Sequence, residues 1–283
     1  MTTLTAMRPT FLGKRKLDPS APVIGRLGSL IVRLARTRAE IRAAQALRYK
    51  VFYEEMSAKP SAANRLLRRD KDRYDRYCDH LLVIEQTGTS ETIVGTYRLL
   101  LPENAAAAGG YYSQSEFDLA NVLKMNFGKR FLELGRSCIL PEYRSKRTME
   151  LLWHGTWSYA LTNKIDILFG CASFEGTDPN AFSGSFAMLQ QNSVLSQDED
   201  CASPLKDSVS LQAFADASFD PRRALFALPP LLKGYLRLGA KVASHAVIDR
   251  QFGTTDVLVV LKVAEISPRY LSHFKTDASR FAA

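Results

Sequence analysis

Short apolar runs recur along the chain, each bounded by turn residues and none close to the roughly 18 residues that a membrane span requires. His80 to Gln86 and Thr92 to Leu101 flank a Gly88 turn signal, which predicts an antiparallel hairpin. Further strands are predicted at residues 29–35, 131–140, 166–172, 240–248 and 255–263. Because unpaired strands leave buried backbone groups unsatisfied, these segments must share a sheet.

Helices separate these strands. Thr37 and Glu40 have the spacing of a capping box, which predicts a helix to about Met56, and Asp178-Pro179 is a typical helix start. Further helices are predicted at residues 115–126, 147–163, 179–191 and 231–239. Residues 57–77, with room for one helical turn, and residues 105–110 are expected to be loops. This order predicts an α+β (mixed α/β) domain built around one sheet.

The domain organisation follows from changes in composition. Residues 1–22 mix Pro, Thr, Lys and Arg without periodicity and are expected to form a flexible basic tail. One domain is expected from residue 23 to residue 275, followed by a C-terminal tail over residues 276–283. Within the domain, residues 192–228 are polar and weakly periodic, which indicates an insertion or lid.

The positive charge is concentrated near the N-terminus. Residues 1–80 hold 18 Lys and Arg against 8 Asp and Glu, although the whole chain has a net charge of only +9. Such a region suits an acidic protein, an anionic membrane surface or a nucleic acid, or it is simply a solvated face. No helix-turn-helix, zinc-finger or RNA-binding motif accompanies the charge, so nucleic acid is disfavoured. With no signal-peptide pattern and four widely spaced cysteines, a cytoplasmic protein with reduced thiols is expected.

Several motifs in order carry a resemblance to known enzymes. LRYKVF at residues 47–52, Asp75, Asp79, GTYR at residues 95–98 and LELGR at residues 132–136 resemble the acyl-homoserine lactone synthases, which have the GNAT fold. A closer resemblance covers most of residues 25–275. Its longest segments are ELGRSCILPEYRSKRTMELLW, GCASFEGTDP and LPPLLKGYLRLGAKVASHAVIDRQFGTTDVLVVL, which are similar to the ornithine N-acyltransferases of bacterial ornithine-lipid synthesis.

This resemblance implies a GNAT-type acyltransferase fold with one central, mostly antiparallel sheet flanked by helices. The implied reaction moves a 3-hydroxyacyl group from acyl carrier protein to the α-amine of L-ornithine and forms a lyso-ornithine lipid. No metal or organic cofactor is implied, because the carrier protein's phosphopantetheine brings the acyl group. A peripheral contact with the anionic inner membrane would suit the lipid product. His154 lacks the Asp five residues later that an HxxxxD acyltransferase needs, since position 159 is Tyr.

Three classes of function remain open at the level of sequence. The first is amino-acid N-acylation from acyl carrier protein. The second is an enzyme like the acyl-homoserine lactone synthases, or a small-molecule N-acyltransferase that uses coenzyme A. The third is a basic binding protein without catalytic activity, which we would favour if the candidate residues were distant from any cleft.

Glu133 is the candidate general base. Aminolysis of a thioester needs a neutral amine, so a carboxylate or a water chain must accept the proton of the ammonium. The resemblance aligns Glu133 with the glutamate of the lactone-synthase ExxR pair. The alternative is a buried ion pair between Glu133 and Arg136 that only holds the sheet. Positions three apart on a strand face opposite sides, so a direct pair would need a bulge.

The candidate substrate-binding residues are mostly charged. Arg48, Arg98 and Arg136 could each bind the carboxylate of ornithine bidentately. Asp75 and Asp79 could hold its side-chain ammonium, or they could pair with these arginines and fix the loop to the sheet. The two acids are four residues apart here and three apart in the lactone synthases, so their roles need not transfer one to one. An acyl pocket could be lined by aromatic residues that are otherwise core: Phe52, Phe131, Trp153 and Trp157.

Arg144, Lys146 and Arg147 are the candidates for binding the donor. GNAT enzymes that use acetyl coenzyme A usually carry a glycine-rich turn here, whose N–H groups hold the pyrophosphate. The present turn, RSKRTM, contains no glycine. Its charges suit the single phosphate of phosphopantetheine and an acidic carrier protein, or they are only solvated. An acyl-cysteine route is disfavoured, because Cys138 and Cys171 lie in apolar strands without a neighbouring His.

Overall fold

A computed structural model describes residues 17–202 and 207–267. The tail expected over residues 1–22 therefore lies mostly outside the described residues, as do the domain end at residue 275 and the tail over residues 276–283. Nine strands within the described ranges form one sheet in the order β1-β2-β3-β4-β5-β6-β9-β8-β7. Their bounds are β1 Val23–Leu27, β2 Leu30–Leu34, β3 Asp79–Thr87, β4 Ser90–Leu100, β5 Phe131–Ile139, β6 Ile167–Glu175, β7 Ser208–Ser210, β8 Lys241–Asp249 and β9 Thr254–Lys262.

The sheet is antiparallel except for the pair β5–β6. The hairpin predicted around Gly88 is present, and this glycine has a φ of +60°, which a turn of this kind requires. The other predicted strands are present too. However, the sequence analysis missed β1 and β7, and β6 runs on to Glu175 instead of ending at Ala172.

Eight α-helices cover the described part of the sheet: α1 Arg38–Tyr49, α2 Ala62–Leu67, α3 Pro102–Ala108, α4 Ala120–Met125, α5 Lys146–Thr162, α6 Ser183–Asn192, α7 Pro221–Ala227 and α8 Pro230–Arg237. The hydroxyl of Thr37 accepts the N–H of Glu40, as the capping signature predicted. The helix then continues as a π-helical turn over Lys50–Glu55. Such turns are rare and often lie at functional sites.

Two loop expectations need correction. Residues 105–110 were expected to be a loop, but most of them belong to α3, which begins at Pro102 and ends against Gly109 at φ +81°. Alanine is the strongest helix former, and proline at the first turn with glycine after the end is the usual arrangement. Residues 57–77 contain α2 and a further 3₁₀ turn, Arg73–Arg76, so two helical turns are present where one was allowed.

Residues 192–228 hold elements that pack on the domain. β7 extends the sheet beside β8, and α7 follows after a 3₁₀ turn, Leu211–Phe214. Leu211 and Leu228 are fully buried in the same apolar core as Phe186 of α6. α8 follows directly and places Tyr235 against Tyr97 of β4, with their hydroxyls hydrogen-bonded at 2.8 Å.

The two parallel strands separate after a short contact, and this separation positions the site. β5 and β6 pair only from Phe131 and Ile167 to Glu133 and Phe169. A Cβ at Gly170 would lie 2.1 Å from the carbonyl oxygen of Leu134, so only glycine allows the approach at this point. Beyond it, β5 pairs with β4 and β6 pairs with β9, which leaves a wedge between the two strands.

Candidate active site

A cavity of about 310 Å³ lies at this wedge, within the range of small-molecule sites, about 300–1,000 Å³. Its wall is formed by the π-helical turn with Phe52, by β4 and β5, by the end of β6, and by the β8–β9 hairpin. Residues 229–231 at the start of α8 also contribute. The cavity therefore combines apolar walls with charged side chains from four strands, β4, β5, β8 and β9.

A bulge in β5 turns Glu133 and Arg136 to the same cavity. Between the pairs Thr96–Cys138 and Arg98–Gly135, β4 contributes one residue and β5 contributes two. Arg136 has a φ of +55°, an unusual conformation for a residue other than glycine, and such residues often lie at functional sites. A bulge was expected only for a direct pair between Glu133 and Arg136; the bulge is present, but Arg136 pairs with Asp70 and Tyr112 instead.

The buried Arg48 binds the loop between the π-helical turn and β3. Its Nε donates to Asp70 and its Nη2 donates to Asp75, both at 2.8 Å, and all three residues are buried. Burial alone would raise the pKa of Asp75, but the arginines outweigh it and hold the pKa well below its usual range. Arg48 does not line the cavity. This geometry matches the structural alternative, in which the pair fixes the loop to the sheet.

Arg98 and Arg136 extend the same network to the cavity wall. Arg98 donates to Asp72 at 2.6 Å and lies 3.6 Å from Asp75, while Arg136 donates to Asp70 at 3.2 Å. Both arginines line the cavity, and the side chain of Arg136 is 14% exposed. The network therefore presents two guanidinium groups to the cavity with part of their charge already balanced.

The predicted acids do not lie together. Asp75 belongs to the arginine network, whereas Asp79 accepts the hydroxyl of Tyr159 at 2.6 Å on α5. Neither residue is part of the cavity wall. The structure therefore brings Glu133, Arg98, Arg136, Arg144 and Phe52 to one cavity and leaves Arg48, Asp75 and Asp79 behind it.

Glu133 holds a neighbouring turn in place. Its Oε1 accepts the N–H and the hydroxyl of Ser113, and its Oε2 accepts the N–H of Tyr112, all at 2.7 Å. Burial raises the pKa of Glu133 above its ordinary value, and these three donors oppose the shift. A carboxylate has about four lone-pair positions, so one on Oε2 remains available beside the cavity. Arg136 pairs with other residues, as described above.

The sequence analysis missed the aromatic support of Arg136. Its guanidinium lies between the rings of Tyr112 and Phe252, 4.9 and 4.5 Å from their centroids, and it donates to the Tyr112 hydroxyl at 3.3 Å. Phe252 in turn meets Phe52 edge to face at 5.8 Å. These contacts fix the guanidinium in one plane. No local signal in the sequence indicated that residues 112, 136 and 252 meet.

The β8–β9 hairpin adds two further carboxylates to the cavity wall, Asp249 and Asp256. The sequence analysis did not identify either of them. Burial raises the pKa of Asp256 to about 6; the nearby hydroxyls of Thr254 and Ser173 oppose this shift, and the charge of Asp249 adds to it. Burial and the charge of Asp256 raise the pKa of the adjacent Glu116 to about 7. One end of the cavity is therefore acidic, beside the arginines.

Three thiols line the cavity, and burial keeps each of them protonated. It raises the pKa of Cys138 to about 12 and raises those of Cys78 and Cys171 further. The thiol of Cys171 points to Glu116, with a distance of 3.4 Å from Sγ to Oε2. Because the thiolate is the nucleophile, these environments disfavour a covalent acyl-cysteine.

The basic turn before α5 adjoins the cavity through Arg144. This residue is paired with Glu55 through two hydrogen bonds, one of 2.7 Å, and it also donates to the carbonyl of Ile139. Lys146 and Arg147 are exposed, and Lys146 lies 3.6 Å from Glu150 one helical turn later. Lys146 and Arg147 are therefore solvated charges, whereas Arg144 holds the π-helical turn through Glu55.

The wedge between two parallel strands, the nearby carboxylate and the apolar wall together suit transfer of an acyl group to an amine, which is the chemistry of GNAT N-acyltransferases. Residues 47–154 match the family described as "Acetyltransferase (GNAT) domain". The chain is 48% identical to an L-ornithine N(alpha)-acyltransferase of Rhizobium meliloti, over 96% of this chain and 93% of that protein. It belongs to the family of the L-ornithine N(alpha)-acyltransferases and is an acyltransferase.

Two other similarities accompany this match. An L-ornithine N(alpha)-acyltransferase of Agrobacterium fabrum is 48% identical over 91% of this chain and 89% of its own length. Among solved structures, an N-acyl amino acid synthase from uncultured soil microbes is 14% identical, with a TM-score of 0.45, over 83% of this chain and 92% of that chain. Across residues 17–202 and 207–267, no helix is both long and apolar enough to cross a membrane.

Proposed function

We propose that the protein transfers a 3-hydroxyacyl group from acyl carrier protein to the α-amine of L-ornithine, which yields a lyso-ornithine lipid. The observation that carries this proposal is the joint presence of guanidinium groups, carboxylates and an apolar wall in one cavity at the β5–β6 wedge. An amino acid requires both signs of charge, and a fatty acyl chain requires the apolar wall. The names of the relatives support ornithine as the acceptor.

In this proposal Arg136 receives the ornithine carboxylate. Its plane is fixed between Tyr112 and Phe252, which suits bidentate recognition of a carboxylate. Arg98 adds charge from the adjacent strand. Holding the carboxylate places the neighbouring α-amine next to β5, where the free Oε2 position of Glu133 can accept its proton directly or through water.

The thioester lies along the wedge in this arrangement, with its acyl chain against residues such as Phe52, Ile139 and Leu231. The amine attacks the thioester carbonyl, an amide bond forms, and the C–S bond breaks. The leaving thiolate of phosphopantetheine takes up a proton. The thioester is already activated, so the reaction needs no metal or organic cofactor.

The donor is acyl carrier protein in this proposal because the accessible charge near the cavity is basic and the turn before α5 lacks a glycine-rich cradle. Lys146 and Arg147 are free to meet an acidic carrier, since both are exposed. Attraction between opposite surfaces speeds association and weakens with salt, because the Debye length falls from about 10 Å at 0.1 M to about 3 Å at 1 M.

The experiment supplies purified protein with L-ornithine and either 3-hydroxyacyl carrier protein or the matching acyl coenzyme A, and mass spectrometry identifies the product. We expect acylated ornithine from the carrier donor and much less from coenzyme A. Lys146→Glu with Arg147→Glu should raise the KM for the carrier and leave the KM for ornithine unchanged.

Lys124→Glu, on α4 away from the cavity wall, is the matched control and should change neither KM. Equal rates from the two donors would contradict the choice of carrier protein, and a homoserine lactone product would favour the lactone-synthase alternative. If the double variant leaves the carrier KM unchanged, the turn is only solvated surface.

For the lipid product we also propose a peripheral contact with an anionic membrane surface through α2. Leu66 is 85% exposed there, and it is flanked by the exposed cations Arg65 and Arg68 and by the half-buried Arg69. An exposed apolar side chain among basic residues suits an anionic lipid surface. Flotation with phosphatidylglycerol vesicles should be lost in Leu66→Ser, while binding to neutral vesicles as strong as to anionic ones would contradict the proposal.

A further inference from the structure

The most unusual polar group in the cavity is the side chain of Asp256. It lies in β9, whose other residues from Val257 to Leu261 are buried and apolar, and it is opposite Ser173 of β6. It lines the cavity and is only 7% exposed. Its Oδ1 accepts no hydrogen bond from any residue of 17–202 or 207–267. A buried oxygen without a hydrogen-bond donor lowers the stability of the fold by about 1–3 kcal/mol, and a ligand that brings a donor would remove this cost.

Thr254 presents a second such group on the same face of β9. The two residues are two positions apart, so their side chains project to the same side of the strand. Thr254 is 3% exposed and lines the cavity, and its Oγ1 has no hydrogen-bond partner within the part of the chain that the structure describes. The hydroxyls of Thr254 and Ser173 both lie near the Asp256 carboxylate and lower its pKa, but neither is in hydrogen-bond geometry with its Oδ1. This part of the cavity wall therefore contains two buried acceptors that have no hydrogen-bonded partner among the described residues.

The charge around this space favours a cation. Asp249 lies at the end of β8 in the cavity wall and acts electrostatically on Asp256, and so does Glu116, while Arg136 acts on Asp256 more weakly and with the opposite sign. Asp249 itself accepts the N–H groups of Gln251 and Phe252 and so shapes the hairpin. Among the described residues, no three His, Cys, Asp or Glu side chains are arranged to hold a metal ion. An organic ammonium matches this arrangement of acceptors better.

The separation from Arg136 indicates which ammonium would bind. Arg136 is on β5 and Asp256 is on β9, with β6 between them, so the two backbones are at least about 10 Å apart, which is two strand spacings. The α-amine of an amino acid stays next to the carboxylate, and in the proposed function that carboxylate is on Arg136. The amine of the ornithine side chain, at the far end of that chain, is the group that reaches towards β9.

We propose that Asp256, together with Thr254, receives the side-chain ammonium of the acceptor and thereby selects diamino acids over neutral ones. This inference rests on the proposed function, in which Arg136 holds the carboxylate. It also gives Asp256 the role that the sequence analysis considered for Asp75 and Asp79. Holding the side-chain amine away from the thioester would direct acylation to the α-amine.

The test compares L-ornithine with L-norvaline, which has the same carbon chain without the terminal amine. Binding to the protein is measured by calorimetry, and kcat/KM is measured with the acylated carrier. Loss of one charge-assisted contact should reduce the preference for ornithine over norvaline by roughly 10- to 100-fold in Asp256→Asn. Thr254→Val should reduce it by a few fold. Asp207→Asn, an exposed carboxylate paired with Arg250, is the control and should keep the full preference.

Each outcome is decisive for the inference. An unchanged preference in Asp256→Asn overturns it, and so does an equal loss for both amino acids, which would place Asp256 at the α-amine. If Asp256→Asn fails to fold, Asp256→Glu keeps the charge, and retention of the preference there together with its reduction in Thr254→Val supports the inference. If the wild-type protein acylates neither amino acid, the proposed function fails, while a calorimetric preference for ornithine that depends on Asp256 still supports this site.

Discussion

Glu133→Gln is expected to weaken both the fold and the reaction, because this carboxylate anchors a neighbouring turn and, in the proposed function, accepts the proton of the α-amine. Three donors, from Tyr112 and Ser113, meet its oxygens at 2.7 Å. A glutamine keeps one oxygen, which will stay with the two donors of Ser113. Its NH₂ group must then face the N–H of Tyr112, so one charge-assisted hydrogen bond is lost and a donor is left unsatisfied. The expected loss is about 2–4 kcal/mol of unfolding free energy.

Urea denaturation measures this loss, and Ser113→Ala is the matched variant. It removes only one neutral donor and leaves the carboxylate in place, so a loss of about 1 kcal/mol is expected. At a temperature where all proteins are folded, Glu133→Gln should lower kcat by roughly a hundredfold to ten-thousandfold, as for a general base, and Ser113→Ala by a few fold at most. Neutral substitutions change the unfolding free energy by up to about 0.5 kcal/mol, so a Glu133→Gln variant within that range of wild type would refute the anchoring role. Near-wild-type turnover of this variant would remove Glu133 from the mechanism.

Three further predictions concern the cavity and its wedge. Arg136→Lys should raise the KM for ornithine about tenfold or more, because an ammonium cannot replace a planar guanidinium fork; an unchanged KM in steady-state kinetics would assign Arg136 to structure alone. Gly170→Ala should destabilise the protein by about 3 kcal/mol or more, since the new Cβ would meet the Leu134 carbonyl oxygen; wild-type stability in urea would contradict this close approach. Glu116→Gln should stabilise the protein more at pH 8 than at pH 5, by about 2–3 kcal/mol, because burial raises the pKa of Glu116 from its ordinary 4.5 to about 7, so the wild-type protein loses stability as the pH rises between those two values. Equal effects in denaturation curves at the two pH values would contradict that shift.

Local sequence patterns predicted much of the fold because the forces that set those elements are themselves local. The β3–β4 hairpin follows from two apolar segments around Gly88, and α1 begins at the capping pair Thr37 and Glu40. The error at α3 had a local signal as well. Its run of alanines was interpreted as a loop of small residues, although Pro102 and Gly109 mark the two ends of a helix.

The site was less predictable because it depends on distant contacts. Glu133 and Arg136 share a cavity only through the bulge in β5, and nothing in LELGR shows which of its residues takes a positive φ. Asp75 and Asp79 are close in sequence, but the 3₁₀ turn before β3 and the strand itself direct them to different partners, Arg48 and Tyr159. Sequence spacing does not determine such partners.

Asp256 is the residue for which the sequence did carry a signal. It is the only carboxylate in the run TTDVLVVL, and a charge inside an otherwise buried strand lowers stability unless it is paired or hydrogen-bonded. The signal becomes informative only when the strand order places Asp256 two strands away from Arg136, beside the wedge between β5 and β6. That order cannot be derived from the strand itself.

The position of the new amide bond tests the central claim most directly, because we propose that ornithine is held at both ends, with its carboxylate on Arg136 and its side-chain ammonium on Asp256. The protein is given 3-hydroxyacyl carrier protein and L-ornithine labelled with ¹⁵N at the α position only, and tandem mass spectrometry of the product identifies the acylated nitrogen. We expect the labelled α-nitrogen to carry the acyl group in all of the product. Acylation of the unlabelled side-chain nitrogen, or no product from the carrier donor, would contradict it.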